Sequence, residues 1–374
     1  MVKEPRDSER VRERIKSVGL GAIVVIGAES EGFCPAALQG AGSLVSQPVA
    51  CTDILGRSMV ERAIERFARA DVEAVTVLVA AENRMFGIPV APGLDHVDVT
   101  VRRVPDPDIV SAITQTLNEY SDRGIAHSFV ASANLYAETD LLDLFYFHRE
   151  ARQAATRCLN GESPLDLWVV HCEKALQTDV ERLLTGPERS GASYMTRDYV
   201  ISLNHPADLR RLVSDALSGR CALRPSGREI KPGVWVDEKA DIHRTARIVA
   251  PAYIGRGSKV QQDTLITRCS NIERDCCIDC GTVIEDSSIL PNTTVGIWLD
   301  VCHAVASGNK LLSLGHEVVV EISDPSVLRS TAEMKNGWEL KPALYAEREI
   351  DAGIQQKQPS APETWQLGAN LIQG

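Results

Sequence analysis

Positive charge is in short supply in this 374-residue chain: 40 Lys and Arg stand against 51 Asp and Glu, a formal net charge of −11. That balance repels a phosphate backbone and argues against nucleic acid as a partner. Long apolar runs are missing as well. None approaches the about 20 residues needed to cross a bilayer, so no membrane partner is expected. The first residues, MVKEPRDSERVRERIK, carry too much charge of both signs for a signal sequence and read as a charged helix over 1–17. The expected location is the cytoplasm. Ten cysteines are dispersed through the chain, which argues for reduced thiols and against a disulfide scaffold.

What is present is a period of six. From Val236 an aliphatic residue recurs at Ile242, Ile248, Ile254, Val260, Ile266, Ile272, Ile278, Ile284 and Leu290. Four places after each stands a small residue: Ala240, Ala246, Ala252, Ser258, Thr264, Ser270, Cys276, Thr282, Ser288 and Thr294. A helix returns its apolar face every three to four residues, so this spacing suits a short strand and a turn, three times per coil. The register resembles the hexapeptide repeat of left-handed parallel β-helices. By the same count Val249, Tyr253, Lys259, Leu265 and Arg268 point outward or lie in turns, and the register shifts by one between Leu290 and Val295. Cys276, Cys277 and Cys280, with Cys269 and Cys302 nearby, could begin a zinc site. The hexad phase opposes it, because Cys276 takes an inward corner and Cys277 points elsewhere; ordinary packing is expected.

Residues 18–222 read as alternating strands and helices. GAIVVIGA (21–28), EAVTVLVA (73–80), HVDVTVRRV (96–104) and HSFVASA (127–133) are strand-like, and 58–70, 107–124, 140–152 and 206–217 carry helical periodicity. Such alternation predicts a mainly parallel, Rossmann-like sheet covered on both faces, with ligands beyond the carboxyl ends of the strands. The polar stretch CALRPSGREIKPG (221–233) marks a boundary before a coil over 230–322. Residues 323–374 form a polar tail with isolated Trp338 and Trp365, expected to be flexible or to dock by those rings.

Three segments carry a resemblance: DILGRSMVERAIERFARADVEAVTVLV (53–79), HSFVASANLYAETDLLDLFYFHREARQAAT (127–156) and SLNHPADLRRLV (202–213). Together with the coil they are similar to the sugar-1-phosphate nucleotidyltransferases, nucleotide-sugar pyrophosphorylases that include mannose-1-phosphate guanylyltransferases, over most of residues 20–310. The resemblance implies a nucleotidyltransferase-like α/β domain followed by a left-handed β-helix. It implies attack of a sugar phosphate oxygen on a nucleoside triphosphate with loss of pyrophosphate. Cations, magnesium and the amides of a glycine-rich loop would disperse the phosphate charge.

The chain departs from that pattern where the chemistry lies. After the first strand it reads AESEGFCPAALQGAGS (28–43), with Glu29 and Glu31 beside the expected phosphates and no Lys or Arg between Lys16 and Arg57. The nucleotide-binding candidates are therefore Gly27, Ala28 and Gly32 in this loop, and Ala133 and Asn134 after the fourth strand. Asn134 and Ser202 occupy the positions where the resemblance expects metal-holding carboxylates, and Arg57 is the cation nearest in sequence. Magnesium is expected only if transfer is retained. The expectation is a homologue in activated-sugar or polysaccharide metabolism with reduced or lost catalysis, binding a nucleotide or sugar phosphate and acting as a homo-oligomer or as a paralogue's partner. The alternatives are an active nucleotidyltransferase with a non-standard site, and a hexapeptide-type acyltransferase using His303 or His243 as general base.

Overall fold

The computed structural model describes residues 19–26, 44–45, 48–80, 97–104, 109–178, 180–185 and 191–331. The expected 1–17 helix, the loop bearing Glu29 and Glu31, and the tail with Trp338 and Trp365 lie outside the described residues.

A mixed seven-stranded sheet organises the first half. Its order is Ala192–Thr196, Ala155–Asn160, Ser163–His171, His127–Ser132 (β6), Leu20–Ile26 (β1), Ala74–Ala80, Asp98–Val104. The central strands run parallel, and Ser163–His171 (β9) runs antiparallel to both of its neighbours. β1 shows why both faces are covered: Ala22, Val24 and Ile26 join one core cluster while Ile23 joins another. Alternation sends successive side chains to opposite faces, so a run apolar at every position needs packing on both.

Helix α1 (Met59–Arg69) starts at a capping box, in which Ser58 Oγ accepts from the Glu61 amide at 3.2 Å and Glu61 Oε2 accepts from the Ser58 amide at 2.6 Å. It buries Met59, Val60, Ile64, Phe67 and Ala68 on one side. On the opposite face of the sheet, α2 (Ile109–Asp122) seats Tyr120 in the core, its hydroxyl 2.8 Å from Thr76 Oγ1 and 3.0 Å from the Ala22 carbonyl.

From Val234 onward three parallel sheets stack short strands. Asp241 pairs with Lys259, Arg247 with Leu265 and Ala252 with Ser270, a spacing of 18 residues per turn of the coil. Ile254, Val260, Ile266, Ile272, Ile278 and Ile284 fill its interior. The small residues do more than relieve crowding. Ser258, Thr264 and Thr282 each donate a hydroxyl hydrogen bond to a backbone carbonyl one turn on: to Glu273 at 2.5 Å, Asp279 at 3.3 Å and Gly296 at 2.6 Å. A buried corner thus satisfies its own backbone polar groups.

The register shift lies earlier than the hexad count predicts. Thr267 pairs with Glu285, 18 residues on, whereas Asn271 pairs with Ser288, 17 on. The residue is lost at the corner after Glu285. Ile289 takes the interior position assigned to Leu290, and Ser287 takes the inward corner assigned to Ser288, donating to the Val301 carbonyl. Leu290 points out of the coil into the α/β core, and Tyr253, outward from the coil as its hexad position predicts, is fully buried in that same core.

Parallel stacking ends with Ala304–Ser307; Lys310–Ser313 and Val318–Glu321 continue that sheet antiparallel. Leu328–Ser330, within the predicted tail, pairs antiparallel with Thr293–Val295. Nor is 221–233 a bare connection. Cys221 and Leu223 are buried in the α/β core and Arg228–Lys231 forms a ladder with Val234–Val236.

Candidate functional site

β6 ends at Ser132, and the chain turns through Ala133 and Asn134 into the short strand β7 (Leu135–Ala137). The Ala133 amide donates to the Val25 carbonyl at 2.9 Å, fixing the turn to the carboxyl end of β1. β7 pairs antiparallel with Val200–Ser202, with Leu135 opposite Ser202, and the Leu203 amide donates to the Asn134 carbonyl at 2.9 Å. Asn134 and Ser202, far apart in sequence, are therefore neighbours at the end of the sheet. Asn134 is buried and Ser202 exposed.

Both residues are neutral, and magnesium prefers charged oxygens. Among the described residues no group of three His, Cys, Asp or Glu is arranged to hold a metal ion. An amide and a hydroxyl do not fit the ion that the resemblance implies.

Cations near this turn are engaged elsewhere. Arg62 and Arg66 of α1 both interact electrostatically with Tyr136 on β7, and burial lowers the pKa of each guanidinium. Arg62 donates to the carbonyls of Ile54 at 2.9 Å and Leu55 at 3.3 Å, and Arg66 to that of Thr139. Arg57, half exposed on the Asp53–Ser58 hairpin, is ion-paired with Glu65. Gly27, Ala28 and Gly32 lie outside the described residues.

The coil histidines have local partners. His243 Nδ1 is 2.9 Å from Thr245 Oγ1, on an exposed corner. His303, at φ 49°, sits with Nδ1 2.6 Å from Asp286 Oδ2. Burial pushes the Asp286 carboxyl up, but hydrogen bonds from His303 and Arg210 outweigh it and leave its pKa below the ordinary value. Arg210 is 5% exposed and donates to Asp286 Oδ1 at 2.7 Å and to the carbonyls of Cys269 at 2.8 Å, Arg268 at 3.2 Å and Asp286 at 3.1 Å. The corner where the coil loses a residue is thus the corner that receives this guanidinium. The cysteines diverge: Cys276 Sγ lies 3.1 Å from the Leu290 carbonyl inside the coil, while Cys277 Sγ faces Asp279 Oδ1 at 3.5 Å.

Sequence reasoning missed Glu273. Its side chain leaves the coil and is wholly buried. Oε1 accepts from the Leu55 amide at 2.7 Å and from Asn271 Nδ2 at 2.7 Å, and Oε2 accepts from the Gly56 amide at 3.0 Å. Arg274 beside it pairs with Asp53 at 2.5 Å. The coil therefore grips the hairpin that opens α1. The available signal was a carboxylate one place after an interior hexad position, which the period alone reads as solvated.

No protein-family model matches the chain, and no curated protein matches it. Among solved structures the chain is similar to a protein named as a glucose-1-phosphate thymidylyltransferase from Bacillus anthracis, crystallised in complex with sucrose. The TM-score is 0.40 at 9% identity, over 52% of this chain and 93% of that one. At that identity and TM-score the likeness bears on neither activity nor substrate.

Proposed function

We propose that the chain is a sugar-1-phosphate nucleotidyltransferase homologue, with an α/β domain over 18–222 and a left-handed β-helix of hexapeptide repeats over 230–322. It serves activated-sugar metabolism as a scaffolding or regulatory partner with little or no transferase activity. The observation that supports this reading is the β7 ladder, which sets Ser202 opposite Leu135 and the Leu203 amide on the Asn134 carbonyl, so that Asn134 and Ser202 stand at neighbouring backbone positions near the carboxyl end of the central strands. Two neutral residues stand at the positions where the resemblance expects two carboxylates. A magnesium polyphosphate would find no anionic oxygen from either residue.

The test is pyrophosphate release from each nucleoside triphosphate with hexose 1-phosphates and magnesium, alongside manganese-dependent thermal shifts with the same nucleotides. The wild type should release none above background. The double variant Asn134→Asp, Ser202→Asp should gain manganese-dependent nucleotide stabilisation. Wild-type turnover abolished by Asn134→Ala would overturn the reading.

A further inference from the structure

At the opposite end of β6 from Asn134, three histidines from three elements converge. His127 opens β6, and its ladder partner is His171 at the end of β9. His148 comes from the last turn of α3 (Leu141–Ala151). The His127 ring centroid is 4.8 Å from that of His171 and 5.4 Å from that of His148. Together with Arg149, Arg152, Gln153 and Lys174 they line a cleft of about 150 Å³. The six-residue strand His127–Ser132 puts it roughly 20 Å from the Asn134 turn.

Two observations point to a ligand. His148 Nδ1 is satisfied by Thr156 Oγ1 at 2.8 Å, but Nδ1 of His127 and Nδ1 of His171 are buried with no hydrogen-bond partner among the described residues. His127 is 8% exposed. A buried ring nitrogen without a partner is costly and calls for an explanation. The second observation is charge. Among the described residues Arg149, Arg152 and Lys174 line the cleft and no carboxylate does, while the chain as a whole carries −11. A locally cationic cleft on an acidic protein attracts anions and repels a divalent metal.

The geometry points to a binding site for a single phosphate group, free or terminal on a small metabolite, in the cleft of His127, His148, His171, Arg149, Arg152 and Lys174. Its volume falls below the roughly 300–1,000 Å³ of pockets that enclose drug-sized ligands, which favours one anionic group over a whole nucleotide. Guanidinium groups match phosphate oxygens in a planar fork, and an imidazolium supplies a donor at each nitrogen. The C-terminal dipole of α3 opposes an anion, and the three side-chain cations offset it.

Binding takes up protons. Burial, then His148, His171, Arg149 and Lys174, lowers the His127 pKa to about 3; burial, then His171 and Lys174, lowers that of His148 to about 4. Burial and Lys174 lower that of His171, with Glu173 of the following helix (Cys172–Gln177) the opposing charge. A dianion among these groups reverses the repulsion and raises each value, so the affinity for the dianionic form, taken apart from the ligand's own protonation, must grow as pH falls.

The test is calorimetric titration of the full chain with inorganic phosphate and, separately, with glucose 1-phosphate, at pH 6 and pH 8 and at constant ionic strength. With the dianion concentration corrected for the ligand's own protonation, phosphate should bind at least tenfold more tightly at pH 6, with proton uptake. Arg149→Gln, at an exposed position, with Lys174→Gln, at a half-buried one whose ammonium donates to the Arg152 carbonyl at 3.1 Å, should weaken it at least tenfold while leaving the circular dichroism spectrum unchanged. Equal affinity for the two ligands would assign the site to free phosphate; tenfold preference for glucose 1-phosphate would assign it to a phosphorylated metabolite. Binding that is unchanged in the double variant, indifferent to pH, or replaced by stabilisation with zinc alone would overturn the assignment. The result is independent of turnover at Asn134, which this variant leaves intact.

Discussion

Glu273→Ala should strongly destabilise the contact between the coil and the hairpin that opens α1. The carboxylate satisfies three donors: the Leu55 amide, the Asn271 side-chain amide and the half-buried Gly56 amide. Each buried donor left unpaired costs about 1–3 kcal/mol, and partial relaxation brings the sum to about 3–5 kcal/mol. Glu273→Gln keeps one carbonyl oxygen for two donors but turns an NH2 toward the Gly56 amide, and should cost about 1–2 kcal/mol.

The same residue sets a pH dependence. Burial and then the charge of Asp53 push the carboxyl up to about 8, against the pull of its three hydrogen bonds. A folded acid with a raised pKa holds a proton that the unfolded chain has released. Its contribution is therefore largest below the unfolded value of 4.5 and falls away as pH rises through 8. Wild-type stability should drop by about 2–5 kcal/mol across that window, and Glu273→Gln, with nothing to titrate, should flatten the slope. Urea denaturation followed by tryptophan fluorescence from pH 5 to 9 measures both. A Glu273→Ala protein within about 0.5 kcal/mol of wild type, or a Glu273→Gln protein with the wild-type slope, would refute the reasoning.

Arg210→Met should cost about 3–5 kcal/mol in thermal denaturation, because four backbone and carboxylate acceptors lose a buried donor at once. Tyr120→Phe removes a hydroxyl shared by Thr76 and the Ala22 carbonyl and should cost about 1–1.5 kcal/mol, measured in urea. His127 and His148 are folded as neutral rings with depressed pKa values, so their contribution is complete above the ordinary 6.5 and is lost as pH falls below it. Denaturation between pH 6.5 and 4.5 should show a loss of up to about 1.4 kcal/mol per pH unit for each ring, and His148→Gln, which keeps an acceptor for Thr156, should reduce it.

Much of the architecture was legible because periodicity is a local property. β1, α1 and the coil interior from Ile254 to Ile284 each bury the residues their spacing marks. The antiparallel course of β9 was not legible: Ser163–His171 is as apolar as the strands on either side of it, and strand direction is fixed by the path of the connection. The register break was placed wrongly because Ser287 and Ser288, like Ile289 and Leu290, are near-equivalent pairs. Either member satisfies the hexad. Arg210, docked on the corner at Asp286, marks where the shorter turn falls.

The same division holds for the sites. The neutral character of Asn134 and Ser202 could be read directly, since replacing a carboxylate with an amide or hydroxyl removes charge whatever the fold. Their adjacency needed β7 to pair with Val200–Ser202. The burial of Glu273, Tyr253 and His127 could not be read from the sequence, nor could the meeting of the three histidines, because both arise between segments that share no local pattern. The sequence by itself determined the six-residue period and the charge balance, which depend only on neighbours along the chain and on composition. Tertiary structure alone decided which outward-facing polar groups lose their water, because desolvation is a property of what packs against a residue and not of the residue itself.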